Sequence, residues 1–462
     1  MQVGLAETIT DSHSLWRRDT SETVVVGRTW ILLVINLPLL AEVVRKYLYQ
    51  QDSIFFGMAI AVLLSFIGVL FVTKTQVLRS LPSGIWLTIL TFYTWVFTNE
   101  VVASHSLLVF LIGLGTIFLP LTYSLVSNVY FQQGEGAVHR VFLCVNGWLL
   151  LILAIALLQI ALGRDHPFTA YGLGSSGIGD YSVGGRVVDG LFRPTSIFTH
   201  TGKFGQALFC LVLFKWCYLV ATKMPVKWFW KVSIGLDVLA VVVSGQRAAF
   251  VFLCLSTGLL LLYKLSREGS KAITFLLRYA IVGTVLLAVV SLQSSATSSG
   301  ALILVGDRLL SSVYDIPDRL LGNFVLPLSA VVDQYLIFGE GLGVFTLGAK
   351  NYGGALVYKT VDMPGFGENS WIRMIAEVGV IGTILYLMIL VQLLCLALRA
   401  IFSRRHQDNE AVALFFAVWL GSIMLWANTH DVFGNLIVTA LAFALGGGVL
   451  QWKGASARHT TL

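Results

Sequence analysis

Runs of about 20 apolar residues recur along nearly the whole chain, and no other feature constrains its fold as strongly. They fall at 29–48, 53–73, 83–98, 103–125, 141–162, 204–222, 229–244, 248–264, 273–293, 379–401, 411–428 and 434–451. In lipid a backbone must satisfy its own polar groups, so each run is predicted to be a helix. The expected fold is an all-α polytopic membrane protein with about 12 transmembrane helices. Two runs are weaker: Pro38, Glu42, Arg45 and Lys46 interrupt the first, and the seventh is short. Of the 462 residues 12% are charged and 56% hydrophobic, against about 25% charged in a soluble domain.

Lysine and arginine set the orientation, because cytoplasmic loops of membrane proteins collect them. With the N-terminus inside, Arg17, Arg18, Arg28, Lys74, Arg79, Arg140, Lys223, Lys227, Lys231, Lys264, Arg267, Lys271, Arg278, Arg399, Arg404, Arg405, Lys453 and Arg458 lie on inner segments. The expected organisation is a cytoplasmic tail over 1–28 and the first nine helices over 29–293, with an outer loop at 163–203. A large outer loop over 294–378, three helices over 379–451 and a cytoplasmic tail over 452–462 follow. The opening residues lack the apolar core and cleavage site of a signal peptide. The net charge of +7 follows from basic inner loops and does not argue for a nucleic-acid partner. The five cysteines lie in apolar runs without C-x-x-C spacing, which argues against a disulfide framework or a zinc site.

The two long outer segments are rich in glycine and aromatics. In the second, Leu321, Phe324, Leu328, Val331 and Val332 recur at helical spacing around Pro327. The pattern predicts a kinked amphipathic helix on the outer membrane surface. No internal repeat is visible, which weakens an inverted-repeat transporter reading.

Three polar clusters fall on the outer side. Arg193 sits in "LFRPTSIFTHTG" with Phe192, Phe198 and His200, just before a helix; a solvated loop arginine is the alternative. Arg247 sits in "VVVSGQRAAF", between two apolar runs with almost no loop. An arginine near hydrocarbon costs a few kcal/mol unless it pairs or reaches water; snorkelling to the headgroups is the alternative. The third cluster is "GFGENSWIRMIAEVGVIG", residues 365–382. Asn369 or Ser370 suits an N-cap for a helix beginning near Trp371. Glu368 then lies at that helix's positive end. Arg373 and Glu377 are spaced for a local ion pair, and Gly379 and Gly382 permit close helix approach.

Together the clusters suggest one site at the outer face. Two arginines suit phosphate oxygens through their forked donors. A glutamate suits a general base toward a hydroxyl. Nearby aromatics such as Tyr171, Phe366 and Trp371 suit sugars, or alternatively a membrane belt. No Asp-x-Asp occurs on the outer side, so no metal and no cofactor is indicated. His430 and Asp431 occupy the last outer turn, either near the site or as an exposed loop pair.

In this order and on these spans, the clusters resemble the O-antigen ligase/polymerase superfamily of bacterial envelope glycan synthesis, the Wzy-type polymerases and O-antigen ligases. "RPTSIFTHTGKFG" looks like its Arg-x-[Thr/Ser]-Gly-x-Phe-x-His-Pro element, and "SGQRAAFVFL" like its Ser-x-Ser-Arg-Gly-Ala turn. "YLIFGEGLGVF" is similar to its Gly-x-Gly-x-Gly-x-Phe element, and "ENSWIRMIAEVGVIG" to its [His/Glu/Asp]-Asn-x-Tyr-Leu … Glu-x-Gly helix start. The resemblance covers roughly residues 190–390. It implies a GT-C-type fold with a large periplasmic loop in the inner membrane. It also implies metal-independent transfer of glycan from a polyprenyl-diphosphate donor to a glycan or lipid-linked acceptor. By motif position Arg193 and Arg247 would bind the diphosphate and Glu368 would be the base. Beside them His200 and Trp371 are candidates for substrate contact, and Arg373 would either pair with Glu377 or reach the diphosphate. A flippase and a chain-length regulator are the partners such a polymerase implies. The ligases characteristically carry His where this chain has Glu368, which favours a polymerase. The turn reads Ser-Gly-Gln-Arg, and the segment after Arg193 lacks the usual Gly and Pro. A ligase, or a transporter using the arginines as a binding site, are the alternatives. A transporter would carry charged residues near the bilayer midplane, where Lys215 is the clear mid-helix cation, able to snorkel.

Overall fold

The structure is a computed structural model that describes residues 29–49, 53–73, 78, 81–103, 106–131, 135–163, 166, 186–188, 191–198, 201–222, 228–268, 321–345, 369–402, 410–428, 430, 432–433 and 435–449. Helix α1 covers 29–44 and widens into a π-turn at Arg45–Tyr49. It is followed by α2 (Ser53–Thr73), α3 (Ser83–Ala103), α4 (Leu107–Phe131) and α5 (Glu135–Leu162). A short antiparallel hairpin, β1 (Arg186–Val188) and β2 (Leu191–Arg193), follows, with Arg186 opposite Arg193. Then come α6 (Thr201–Ala221), α7 (Trp228–Ser244), α8 (Arg247–Glu268), α9 (Leu326–Gln334), α10 (Ser370–Phe402), α11 (Glu410–Trp426) and α12 (Leu436–Gly446).

Six of the described helices, α3, α4, α5, α6, α8 and α10, are long and apolar enough to cross a membrane. Shorter apolar stretches lie in α2, α7, α11 and α12. The chain is a helical membrane protein. The expected run 273–293 lies outside the described residues.

Helix α6 is the hub. It touches α5, α7, α8, α11 and α12, and it is apolar on every side from Ala207 to Phe214. A helix of that pattern is stable only with neighbours all round. Helix α4 rests against α2 and α12, and α10 against α3 and α11. One end of the bundle is tied by Arg267 of α8. It meets the Glu410 carboxylate at 3.0 Å and donates to the Ile401 carbonyl at 2.9 Å, while the Tyr263 hydroxyl donates to Glu410. The ends of α8 and α10 and the start of α11 therefore lie together.

Two features depart from the sequence expectation. Lys215 does not snorkel: its Nζ reaches Asp237 of α7 at 2.8 Å and the Ser233 hydroxyl at 2.5 Å. Trp216 Nε1 donates to the other Asp237 oxygen at 3.1 Å. An intramembrane charge is tolerable in such a pair. The amphipathic helix at 321–334 is also different. Leu321–Val325 is a π-turn and Pro327 stands in the first turn of α9, where a missing N–H costs nothing. Its Val331, with Tyr335 just beyond, buries against Val344, Phe345, Ile372, Ile375 and Ala376. This face covers the start of α10, whereas Leu321 and Val325 are exposed.

Candidate functional site

The start of α10 is capped as its sequence implies. The Asn369 side-chain oxygen accepts from the backbone N–H of Trp371 at 2.9 Å and Ile372 at 3.1 Å, satisfying two donors a helix start leaves open. The Ser370 hydroxyl accepts from the N–H groups of Val432 and Phe433 at 2.7 and 3.0 Å. Ser370 N–H donates to the Ala427 carbonyl at 3.0 Å, and Asn369 Nδ2 to that of Asn428 at 2.6 Å. Trp371 lies edge-on to Phe433, with ring centres 5.0 Å apart. The cap is thus fastened to the α11–α12 turn, where His430 also sits.

Helix α10 is broken two turns later. Gly379 has φ +74°, open to glycine at little cost, and a Cβ there would lie 2.0 Å from the Ile337 carbonyl oxygen. The break releases carbonyls that a continuous helix would satisfy. Glu340 N–H donates to the Ala376 carbonyl at 2.8 Å and Gly341 N–H to that of Glu377 at 3.0 Å. Asn99 Nδ2 also reaches Glu377 at 2.9 Å, and Trp95 Nε1 reaches the Val378 carbonyl at 2.9 Å. Asn99 Oδ1 accepts from Gly339 N–H at 2.8 Å. The segment "GEGLGVF", 339–345, therefore docks its backbone onto the break. Gly343, with φ +91°, sits so close to Gly113 of α4 that a side chain on either would clash with the other's backbone.

Arg373 and Glu377 are buried inside this joint, with Nε to Oε1 at 3.9 Å. The same Glu377 oxygen accepts from Phe345 N–H at 3.2 Å. The local pair read from the spacing is present, and its carboxylate also holds the glycine-rich segment. Above it Tyr335 donates to Glu340 at 3.1 Å; burial first, then the nearby carboxylate, raises the Tyr335 pKa.

Two residues past Arg193, the chain enters a locked turn. Thr195 and Ser196 N–H groups both donate to Gln159 Oε1, at 3.1 and 2.8 Å. The Ser196 carbonyl accepts from Gln159 Nε2 at 3.1 Å, from the Tyr47 hydroxyl at 3.0 Å and from Lys46 Nζ. Lys46 also donates to the Thr195 hydroxyl at 2.6 Å, and Ser196 Oγ to the Ile152 carbonyl at 2.7 Å. Beside this turn the buried Glu42 faces Lys203 at 3.4 Å and Arg45 at 3.8 Å. The charges that interrupt the first apolar run are therefore grouped at the end of α1.

Arg247 opens α8, one residue after Gln246, whose side chain fills the space a Cβ on Gly205 would need. Gly245 has φ +61°, which lets α7 and α8 join in so few residues. Next to Gly205, Gln206 accepts from Asn435 Nδ2 at 2.6 Å. The start of α6, the Arg247 turn, the 427–435 turn and the α10 cap are in this way linked in series.

Of the expected site residues, Trp371 and Arg373 lie in this network. Arg193 and Arg247 are fixed by backbone position, at the end of β2 and the start of α8. Glu368, His200 and Asp431 lie outside the described residues, although Asn369 next to Glu368 is anchored. Lys46, Tyr47, Gln159 and Asn99 were not singled out by sequence. Glu42, Arg45 and Lys46 in an otherwise apolar run were the available signal for the first of these. No family model and no curated protein matches this chain.

Proposed function

We propose that the chain is a polymerase of polyprenyl-diphosphate-linked oligosaccharide repeat units, building a bacterial surface polysaccharide at the periplasmic face of the inner membrane. In this reading the chain has about 12 spans and a GT-C-type architecture. What supports it is the convergence just described. The turn after Arg193, the turn into Arg247 and the cap after Glu368 belong to one linked end of the bundle.

The chemistry follows from the residue types. The donor is the growing glycan on its polyprenyl diphosphate, and the acceptor is a sugar hydroxyl on an incoming lipid-linked unit. Glu368 takes the proton of that hydroxyl. The acceptor oxygen attacks the anomeric carbon as the bond to phosphate breaks, and the diphosphate leaves with the bonding pair. Arg193 and Arg247 neutralise the charge that builds on the leaving group, so no metal is required. Arg373, His200 and Trp371 contribute to substrate contact.

A ligase passing finished glycan to lipid A-core or a protein would use the same residues. A transporter is favoured by one observation, the Lys215–Asp237 pair buried within the helices. Each group of that pair is satisfied by the other, which leaves it little to offer a solute.

The test uses purified protein in liposomes supplied with lipid-linked repeat units alone, with products resolved by size. The polymerase reading predicts a ladder that lengthens with time. Product only after a separate acceptor is added would make the protein a ligase. Solute uptake with no glycan transfer would sink both enzyme readings.

A further inference from the structure

The turn between Arg193 and the start of α6 is held far more firmly than a loop needs. Among the described residues Ser196 is the one non-glycine residue with positive φ, 52°. Such a backbone is costly and persists only where its surroundings over-determine it. Here they do: one carbonyl takes three donors, and one glutamine closes both N–H groups. The fold also places a lysine, 0% exposed, beside this turn. Burying a cation is expensive unless it is well paired. All of these costs fall within a few residues, between Arg193 and His200.

We infer that Lys46, Tyr47 and Gln159 form a positioning clamp. By freezing 195–198 against the ends of α1 and α5, they fix the backbone from which Arg193 addresses the donor's diphosphate. The inference rests on the polyprenyl-diphosphate reading above. None of the three is proposed to touch substrate. They act through Arg193, as supporting residues act wherever a charged group must meet a ligand within a fraction of an ångström. Two features separate the clamp from simple glue. It uses polar groups where apolar packing would hold the turn as well, and it holds one strained residue rather than a relaxed one.

The test measures binding of polyprenyl diphosphate to the full-length protein in detergent, alongside melting temperature. Lys46→Met removes two of the clamp's hydrogen bonds but leaves Glu42 facing Arg45 and Lys203. Tyr47→Phe removes the hydroxyl that donates to the Ser196 carbonyl and accepts from Gln159 Nε2. Each variant is expected to weaken binding by about tenfold or more, as misplacement of a binding group does, at temperatures well below its own melting transition, so that a modest fall in melting temperature does not account for the loss. In an Arg193→Ala background neither change should weaken binding further, because coupled residues are non-additive. Unchanged affinity, or a loss that adds in full to that of Arg193→Ala, overturns the clamp. If Lys46→Met does not fold, Tyr47→Phe decides alone. A wild-type protein that neither binds polyprenyl diphosphate nor transfers glycan overturns the underlying reading, and the clamp with it.

Discussion

Gly379 shows what a single residue settles in this molecule. Its positive φ and the Ile337 carbonyl 2.0 Å from a would-be Cβ leave no room for any side chain. Gly379→Ala should lower the unfolding temperature sharply, the backbone strain alone costing about 1–3 kcal/mol; a differential scan of the purified variant checks it. Glu377 is the second such residue. Glu377→Leu removes the carboxylate facing buried Arg373, a change expected to cost on the order of 3–5 kcal/mol. Adding Arg373→Met should recover part of that stability, the Phe345 N–H still lacking its acceptor, read as the unfolding temperature of the double variant. The Asn369 cap was legible in sequence because capping is chemistry between near neighbours. The Gly379 break was not, because its cause is the carbonyl of Ile337 in another segment.

Among the elements, the apolar runs were legible because lipid imposes one rule on each of them. Partnerships between elements were not. Lys215 reads as a lone cation until α7 brings Asp237 to 2.8 Å. Lys215→Met alone or Asp237→Leu alone should destabilise the protein by about 3–5 kcal/mol, while the two together should be close to neutral. A double-mutant cycle on unfolding temperature measures this. A double variant that keeps glycan transfer would also remove the pair from any transport path. The glycine-rich segment 339–345 read as a motif of the outer loop. It is also the partner of a broken helix, supplying N–H groups to the carbonyls that Gly379 sets free.

At the scale of the whole molecule, the bundle has two distinct ends. Helix α8 finishes beside Glu410 and Ile401, at the end where α10 stops. The next described segment, 321–345, packs on the opposite end of α10. The chain must therefore pass from one end to the other between 268 and 321. Reporter fusions at 270 and at 305 should give opposite sides of the membrane, with 270 cytoplasmic by its basic neighbours; the same side at both would contradict the topology. Sequence supplied the candidate residues one motif at a time, but the elements that carry them are joined by links such as Gln246 on Gly205 and Asn435 on Gln206. The most direct test of the account pairs binding with turnover in Glu368→Gln. With lipid-linked repeat units in liposomes, the variant should bind the donor as tightly as the wild type yet form no ladder. A ladder undiminished in Glu368→Gln would contradict the assignment of Glu368 as the base.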